Sequence, residues 1–240
     1  MVPLKLLLIR HGQSQGNVDG RLEGWHSTPL TTLGQQQALA LGQRLAKTDW
    51  DPTHIYCSPL LRATATLASM LAGFTGQSQA MPVPLPNRIP LRQGFVPIQL
   101  REDLKELNQG IFNGLTWAEA QTIAPDLCHH LETNLDWHPI PQAETPAQGY
   151  RRAQHFVDHL LGQHRNGDRV WVISHHGLLQ QILACLMGCD RPWGLAIGHT
   201  ALFEFWLDRD RWHDPGPNRF NTALWQIKRW NHSDPVTKMD

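Results

Sequence analysis

Lys5-Leu6-Leu7-Leu8-Ile9-Arg10-His11-Gly12 is the stretch from which the fold of this chain can be argued. Residues 5–9 are mostly apolar and show no polar alternation, which is typical of a central strand buried on both faces of a parallel sheet. Arg10 and His11 follow where this strand ends, and open α/β sheets bind ligands at the carboxyl ends of their strands. Because an arginine suits an anion and a histidine can attack one, the stretch predicts an anion site beside a central strand.

Strands and helices alternate along the rest of the chain. Apolar stretches predict parallel strands at 54–57 and 169–174, and helical spacing predicts helices over 32–47, from Pro59 to about 71, over 145–164 and from 176 to about 187. This alternation predicts an α/β fold, a three-layer α/β/α sandwich with a mostly parallel central sheet. Residues 201–207 and 222–230, separated by a strong turn signal at 214–218, predict an antiparallel C-terminal hairpin added to one edge.

The middle of the chain is less regular. Residues 76–101 carry Pro82, Pro84, Pro86, Pro90 and Pro97, which predict a long proline-rich loop that covers the site. A further strand is predicted at 103–107, a short helix at 116–123 and irregular structure at 125–143. Since no repeat or linker divides the chain, residues 1–240 are interpreted as a single domain with this loop as an insertion.

Composition limits the classes of partner and compartment. Lys plus Arg and Asp plus Glu each number 21, so the formal net charge is zero. This balance argues against nucleic acid or an anionic membrane as partner, and any anion site must be local. The four cysteines form no C-x-x-C motif, which favours a reduced, cytoplasmic protein. The N-terminal apolar run is too short for a signal peptide or a membrane span.

Four segments at predicted strand ends or in adjacent loops carry chemistry. They are Arg10-His11-Gly12 with Asn17, Ser58-Pro59-Leu60-Leu61-Arg62, residues 106–114 beginning with Glu106, and Ser174-His175-His176-Gly177. Arginine forks pair with phosphate oxygens. A neutral imidazole can attack phosphorus, a second histidine can donate to the developing charge, and a carboxyl group can protonate the leaving oxygen and then activate water. This set is sufficient for phosphoryl transfer through a phosphohistidine without a metal ion.

Together with Pro29-Leu30-Thr31-Thr32-Leu33-Gly34 and the Arg62-Ala63-x-x-Thr66 helix start, these segments resemble the histidine phosphatase superfamily, also called the phosphoglycerate mutase-like family. The resemblance extends from residue 4 to about 230. It implies that His11 is the nucleophile that becomes phosphorylated and that Glu106 is the general acid and then the general base. It also implies that Arg10, Arg62 and His175 grip the phosphoryl group.

The same resemblance assigns further residues. Asn17 is expected to bind a phosphate oxygen, and Glu23 and Gly24 lie where the family contacts substrate. Glu144 matches a recurrent glutamate before the penultimate helix. Two assignments have alternatives nearby in the sequence. His176 could take the role of His175, and Glu102, Asp103 or Asp126 could take the role of Glu106.

The segment after Glu106 favours the phosphatase branch of the family. Mutases resemble Glu-Arg-x-Tyr-Gly, whereas Leu107 follows the glutamate here, and no basic cluster that would retain a bisphosphate is evident. We therefore expect a metal-independent phosphatase acting on a small phosphorylated metabolite. The alternatives are a cofactor-dependent phosphoglycerate mutase and a non-catalytic phosphoester-binding module.

Phosphoserine is the first-guess substrate, because some enzymes that resemble this branch are phosphoserine phosphatases; sugar phosphates and phosphoglycolate-type acids stay open. The amino and carboxylate groups of phosphoserine would need partners in the protein. The candidates are Arg21, Glu23, His26, Arg88 and Arg92. His155 and His159 have a spacing that can bind zinc, but no HExxH motif or matching cysteine accompanies them, so neither a metal nor a cofactor is expected. The C-terminal hairpin offers an edge through which a homodimer could form.

Overall fold

A seven-stranded sheet runs through the centre of the protein, whose computed structural model describes residues 2–233. The strands of the described chain are β1 (Leu4–Arg10), β2 (Arg21–Leu22), β3 (His54–Cys57), β4 (Arg88–Leu91), β5 (Gly94–Leu100), β6 (Leu115–Thr116), β7 (Arg169–Ser174), β8 (Leu202–Leu207) and β9 (Trp225–His232). In the sheet they lie in the order β4-β5-β3-β7-β1-β8-β9, while β2 and β6 form a small separate sheet.

The middle of the large sheet is parallel. β1 pairs with β7, β7 with β3, and β3 with β5 in parallel register, so the carboxyl ends of these strands share one edge. β8 is antiparallel to β1, and β9 is antiparallel to β8. The predicted C-terminal hairpin is thereby confirmed, although two short 3₁₀ turns, Arg209–Arg211 and Pro217–Phe220, lie in the connection.

Helices cover both faces of this sheet. The helices of the described chain are α1 (Gln15–Val18), α2 (Thr32–Leu45), α3 (Leu61–Phe74), α4 (Trp117–Ile123), α5 (Pro125–Thr133), α6 (Pro146–Gln163) and α7 (His176–Leu186). Successive residues of a strand point to opposite faces. Leu6 and Leu8 of β1 accordingly pack with α6 and α7, and Leu7 and Ile9 pack with α2 and α3. The predicted three-layer α/β/α sandwich is confirmed.

Helices α2 and α3 approach each other closely at two glycines. A Cβ atom on Gly42 would lie 2.0 Å from the carbonyl oxygen of Met70, and one on Gly73 would lie 2.1 Å from that of Leu39. No side chain fits at these distances, so the backbones themselves are in contact. This contact fixes α3, and with it Arg62 near its first turn.

The prediction of a long loop over 76–101 is wrong for its second half, which forms β4 and β5. Proline is tolerated there because Pro90 lies on the edge strand β4, and Pro97 precedes the point, at Ile98, where β5 begins to pair with β3.

For the β4–β5 turn, the expectation that this segment covers the site is also wrong. The β4–β5 turn carries Arg92, whose guanidinium packs on Phe74 at the last residue of α3, and α3 begins at the carboxyl edge of the sheet. Arg88 lies in the same hairpin against Phe95. Arg92 therefore lies at the opposite end of the sheet from the predicted site, and the guanidinium of Arg88 is engaged by Phe95.

Two local predictions between these regions are also wrong. Residues 103–107 form no strand: a 3₁₀ turn, Glu102–Leu104, is followed by irregular chain whose carbonyl groups bind side chains rather than another strand. Within 125–143, where irregular structure was expected, Pro125 begins α5 at a position where proline suits a helix. α5 packs through buried Cys128 in a small separate cluster with α4. Among residues 2–233, no helix is both long and apolar enough to cross a membrane.

Candidate active site

Three of the four predicted segments meet at the carboxyl edge of the parallel strands. Arg10 ends β1 and His11 follows it, Ser58 follows β3, and His175 follows β7. The ring centroids of His11 and His175 are 5.0 Å apart, and Nε2 of His175 lies 2.7 Å from the Ser58 hydroxyl. The parallel register brings these residues together, as the sequence predicted.

The ring of His11 is buried, with 2% of its surface exposed, and its orientation is fixed. Nδ1 lies 2.7 Å from the carbonyl oxygen of Gly12, and since a carbonyl can only accept, Nδ1 must carry the proton. Nε2 therefore holds the lone pair. Burial, with the nearby guanidinium groups of Arg62 and Arg10, lowers the pKa of His11 well below its usual value. His11 is thus a neutral imidazole with an available nucleophilic nitrogen.

Arg62, which is buried, and Arg10, which is partly buried, flank His11 and are held by backbone carbonyls. Arg62 donates to the carbonyls of His26 at 2.7 Å and Gly24 at 2.9 Å, and Arg10 donates to the carbonyl of Ile197. In the described part of the chain, Nε of each arginine is buried and has no hydrogen-bond partner. Unpaired buried donors are rare in proteins and call for a ligand, here an anion.

His175 adds a third donor of the same kind. Its Nε2 contacts the Ser58 hydroxyl, and its Nδ1 is buried with no partner among the described residues. Burial and the charges of Arg62 and Arg10 lower the pKa of His175 well below its usual value, so the ring is neutral. When the Ser58 hydroxyl donates to Nε2, the ring proton resides on Nδ1 and can be donated to an anion.

The side chain of Glu106 lies against the N-terminus of α7, the helix that follows His175. Its Oε1 accepts from the backbone N–H groups of Leu107 at 2.9 Å and Leu178 at 3.0 Å, and its Oε2 accepts from Gly177 at 3.1 Å. A helix N-terminus favours negative charge, which explains why the carboxylate is held there. Two of the carboxylates considered as alternatives to Glu106 have other partners: Glu102 pairs with Lys105, and Asp103 pairs with Arg101.

The structure places Glu23 and Gly24 behind Arg62. Glu23 is 6% exposed, and its carboxylate lies 3.6 Å from Nε of Arg62 and accepts from the hydroxyls of Ser14 and Thr28, each at 2.6 Å. Gly24 contributes its carbonyl to Arg62, and its φ of +48° suits glycine. Both residues therefore orient the arginine from the protein side.

Asn17 connects Glu23, which supports Arg62, to a histidine that the sequence analysis missed. Its Nδ2 donates to Glu23 at 3.2 Å, and its Oδ1 accepts from Nε2 of His199 at 3.0 Å. The ring of His199 lies 6.4 Å from that of His11, and burial, followed by the charge of Arg10, lowers its pKa to about 4. No motif marks His199; it approaches the site only because β8 pairs with β1.

A group that could hold a metal ion lies at the other edge of the sheet. His54, His164 and Asp168 have donor atoms within 4.8 Å of one another. Both ring nitrogens of His164 have protein partners, the Tyr56 hydroxyl at 3.0 Å and Asp168 at 3.1 Å. This group is separated from His11 by the length of the strands and takes no part in its chemistry.

Sequence comparison places this geometry in a known family. Residues 6–82 and 87–214 match the family model of the histidine phosphatase superfamily, branch 1, and the chain belongs to that superfamily. It is 26% identical over 250 residues to glucosyl-3-phosphoglycerate phosphatase of Mycolicibacterium vanbaalenii, covering 97% of this chain and 96% of the relative. It is 29% identical over 179 residues to metal-independent phosphoserine phosphatase of Arabidopsis thaliana, covering 74% and 66%.

A solved structure confirms the fold. Bacillus stearothermophilus YhfR superposes with a TM-score of 0.71 at 22% sequence identity, covering 97% of this chain and 99% of the other. The predicted family and fold class are both confirmed, and the relatives named above are phosphatases.

Proposed function

We propose that this protein is a metal-independent phosphatase that hydrolyses a small phosphomonoester through a phosphohistidine at His11. One observation carries the proposal. Three buried donors without hydrogen-bond partners, Nε of Arg10, Nε of Arg62 and Nδ1 of His175, lie around a neutral histidine whose proton is fixed on Nδ1. This arrangement suits a tetrahedral anion with its phosphorus next to Nε2 of His11.

In the first step, Nε2 of His11 attacks phosphorus in line with the leaving oxygen. The bond between phosphorus and the leaving oxygen breaks, a bond between phosphorus and nitrogen forms, and Glu106 in its acid form gives its proton to the leaving alkoxide. Arg10, Arg62 and His175 bind the equatorial oxygens, on which negative charge is concentrated.

The second step returns the enzyme to its starting state. The carboxylate of Glu106 takes a proton from water while the water oxygen attacks phosphorus. The bond to His11 breaks, His11 regains its lone pair, and inorganic phosphate leaves. Glu106 is then protonated for the next substrate.

The charges near the site argue against a mutase. Beyond Arg10 and Arg62, two further cations close in sequence to the predicted segments, Arg21 and Lys105, are engaged with protein groups. Arg21 binds Glu119 and the carbonyl of Gly114, and Lys105 binds Glu102. A phosphoglycerate mutase must retain a highly charged bisphosphate, for which these residues offer no free cluster.

Phosphoserine is the substrate we test first, with a phosphorylated glycosyl acid second, because relatives of this chain act on such compounds by name. Of the residues considered for the amino and carboxylate groups, Arg92 lies at the other end of the sheet, Arg88 packs on Phe95, and Glu23 is buried behind Arg62. His26, whose carbonyl binds Arg62, is the candidate adjacent to the site, whereas Arg21 is engaged by Glu119 and Gly114. A panel of phosphorylated metabolites, assayed for phosphate release, identifies the substrate.

The mechanism is tested by trapping the intermediate. Enzyme quenched with substrate should show a phosphoryl group on His11 by mass spectrometry, and His11→Ala should lose this adduct and essentially all turnover while its circular dichroism is unchanged. Hydrolysis of an aryl phosphate by His11→Ala at the wild-type rate would refute the mechanism, as would activity that chelator abolishes and added metal restores. Stimulation of phosphoglycerate interconversion by 2,3-bisphosphoglycerate would favour the mutase instead. Tight binding of phosphoesters without turnover would favour the binding module.

A further inference from the structure

We propose that Arg152 and Glu144 are a positioning pair that fixes the backbone on both sides of Glu106 and thereby aims its carboxyl group at the leaving oxygen. The inference rests on the proposed function, because it concerns the proton that Glu106 delivers. Neither residue contacts the phosphoryl group. Their effect on the reaction is exerted through the chain segment 103–108.

Arg152, on α6, binds the segment on the side before Glu106. It donates through one terminal nitrogen to the carbonyls of Asp103 at 3.0 Å and Lys105 at 2.6 Å. Its other terminal nitrogen donates to the carbonyl of Glu106 itself at 3.2 Å. One guanidinium group therefore binds three carbonyls within four residues of chain.

Glu144, two residues before α6 begins, binds the part of the segment that follows Glu106. Its carboxylate accepts from the backbone N–H of Asn108 at 3.3 Å, and its own N–H donates to the carbonyl of Asn108 at 3.0 Å. The carboxylate also forms a two-pronged ion pair with Arg152 at 2.8 and 2.6 Å. Both side chains are mostly buried, at 16% and 11% exposure, so the pair is well ordered and weakly screened by solvent.

The side chain next to Glu106 is enclosed by the same helices. A Cβ atom on Gly149 of α6 would lie 2.6 Å from Leu107, and one on Gly177 of α7 would lie 3.1 Å from it. Leu107 thus lies against glycines of both helices. The segment needs such support because, apart from the 3₁₀ turn Glu102–Leu104, it has no regular secondary structure.

The chemistry provides a readout that a general loss of stability would not change. An alkoxide leaving group needs a proton in the transition state, whereas p-nitrophenolate leaves readily without one. A carboxyl group displaced by an ångström delivers that proton poorly, and such displacement costs up to about 100-fold. Loss of positioning should therefore slow alkyl phosphates selectively.

The experiment measures kcat/KM, which reports formation of the phosphoenzyme, for p-nitrophenyl phosphate and for an alkyl phosphate. For Arg152→Ala we expect a fall of about 10-fold to 100-fold with the alkyl ester and of less than about threefold with the aryl ester. Arg152→Lys keeps the charge but loses the planar fork, so we expect an intermediate selective loss. Arg151→Ala, at an exposed position one residue earlier on the same helix, is the matched control and should resemble wild type.

A double-mutant cycle identifies Glu106 as the residue through which the pair acts. If Arg152 positions Glu106, Arg152→Ala should cost nothing further with the alkyl ester in a Glu106→Gln background. Equal losses with both esters, or additive losses in the cycle, would overturn the inference. If Arg152→Ala does not fold, Glu144→Gln supplies the same comparison. A wild-type enzyme that forms no phosphohistidine would refute the proposed function itself. Failure of the proposed function can therefore be told apart from failure of the positioning inference.

Discussion

At the scale of single residues, one hydrogen bond sets the chemistry of His11. Donation from Nδ1 to the carbonyl of Gly12 leaves Nε2 free, and the two neighbouring arginines disfavour the imidazolium. The same two arginines later bind the phosphoryl group. The cations that hold the substrate therefore also keep the nucleophile neutral.

The lowered pKa of His11 predicts how the ring titrates. A histidine whose pKa lies below 6.5 stays neutral as the pH falls through that value, so its nucleophilic form persists in mild acid. In NMR spectra of protein with ¹⁵N-labelled histidine, the ring signals of His11, assigned with His11→Asn, should not shift between pH 8 and about pH 5.5. A midpoint near 6.5 for His11 would contradict the geometry.

Gly177 provides a second prediction for a single residue. A Cβ atom at this position would lie 2.8 Å from Oε1 of Glu106, too close for the carboxyl group to keep its place. We expect Gly177→Ala to lower kcat/KM for an alkyl phosphate about tenfold, with little change for p-nitrophenyl phosphate. Gly162→Ala, at a helical position with open space around it, is the control and should keep full activity. Equal activity of the two variants would show that Glu106 is not held as described.

The site could be predicted from the sequence where its residues adjoin strand ends. Arg10, His11, Ser58 and His175 each follow a recognisable apolar strand, and parallel pairing brings such positions together. The partners of Arg152 and the approach of His199 depend on tertiary contacts between distant segments. No local pattern encodes them, so sequence reasoning could not place them.

At the scale of elements, the strands that sequence analysis located best are those buried on both faces. β3 and β7 have the predicted bounds, because an apolar run with no alternation has few other interpretations. β4 and β5 were missed because their prolines argue against strands unless the pairing is known. The helix α5 was missed because it buries only a small apolar surface in a separate cluster.

The contact between α2 and α3 predicts the effect of one added methyl group. In Gly42→Ala the new Cβ would overlap the carbonyl of Met70, so the helices must separate. Overpacking of this kind costs about 2 kcal/mol of unfolding free energy. Urea denaturation should show the loss, while turnover per folded molecule stays near wild type. Gly162→Ala, where nothing obstructs the methyl group, should be neutral or slightly stabilising; similar midpoints for the two variants would contradict the close approach.

At the scale of the whole molecule, the site lowers the free energy of unfolding when no anion is bound. Arg10 and Arg62 are close enough for each to lower the pKa of His11, and their buried Nε atoms lack hydrogen-bond partners among the described residues. Like charges and unpaired donors in the interior reduce the stability of the free protein.

Inorganic phosphate should therefore stabilise the fold. At 100 times its dissociation constant, a ligand specific for the native state adds about 2.7 kcal/mol, which for a chain of this size raises the melting temperature by about 5–10 °C. Differential scanning fluorimetry with phosphate, against sodium chloride of equal ionic strength, measures the shift. Arg10→Gln should lose most of it. A shift that chloride reproduces would mean that only general screening is involved.

The polarity of the sheet also has a practical use. Parallel strands place the reacting groups at one edge and leave the turn that connects β4 and β5 exposed at the other, where Gln93 binds Arg169 at the start of β7. This connection is a candidate port for protein engineering. A reporter domain inserted between Arg92 and Gln93 would be carried on the far side of the molecule from His11, so a phosphate sensor could be built without altering the groups that detect the phosphate.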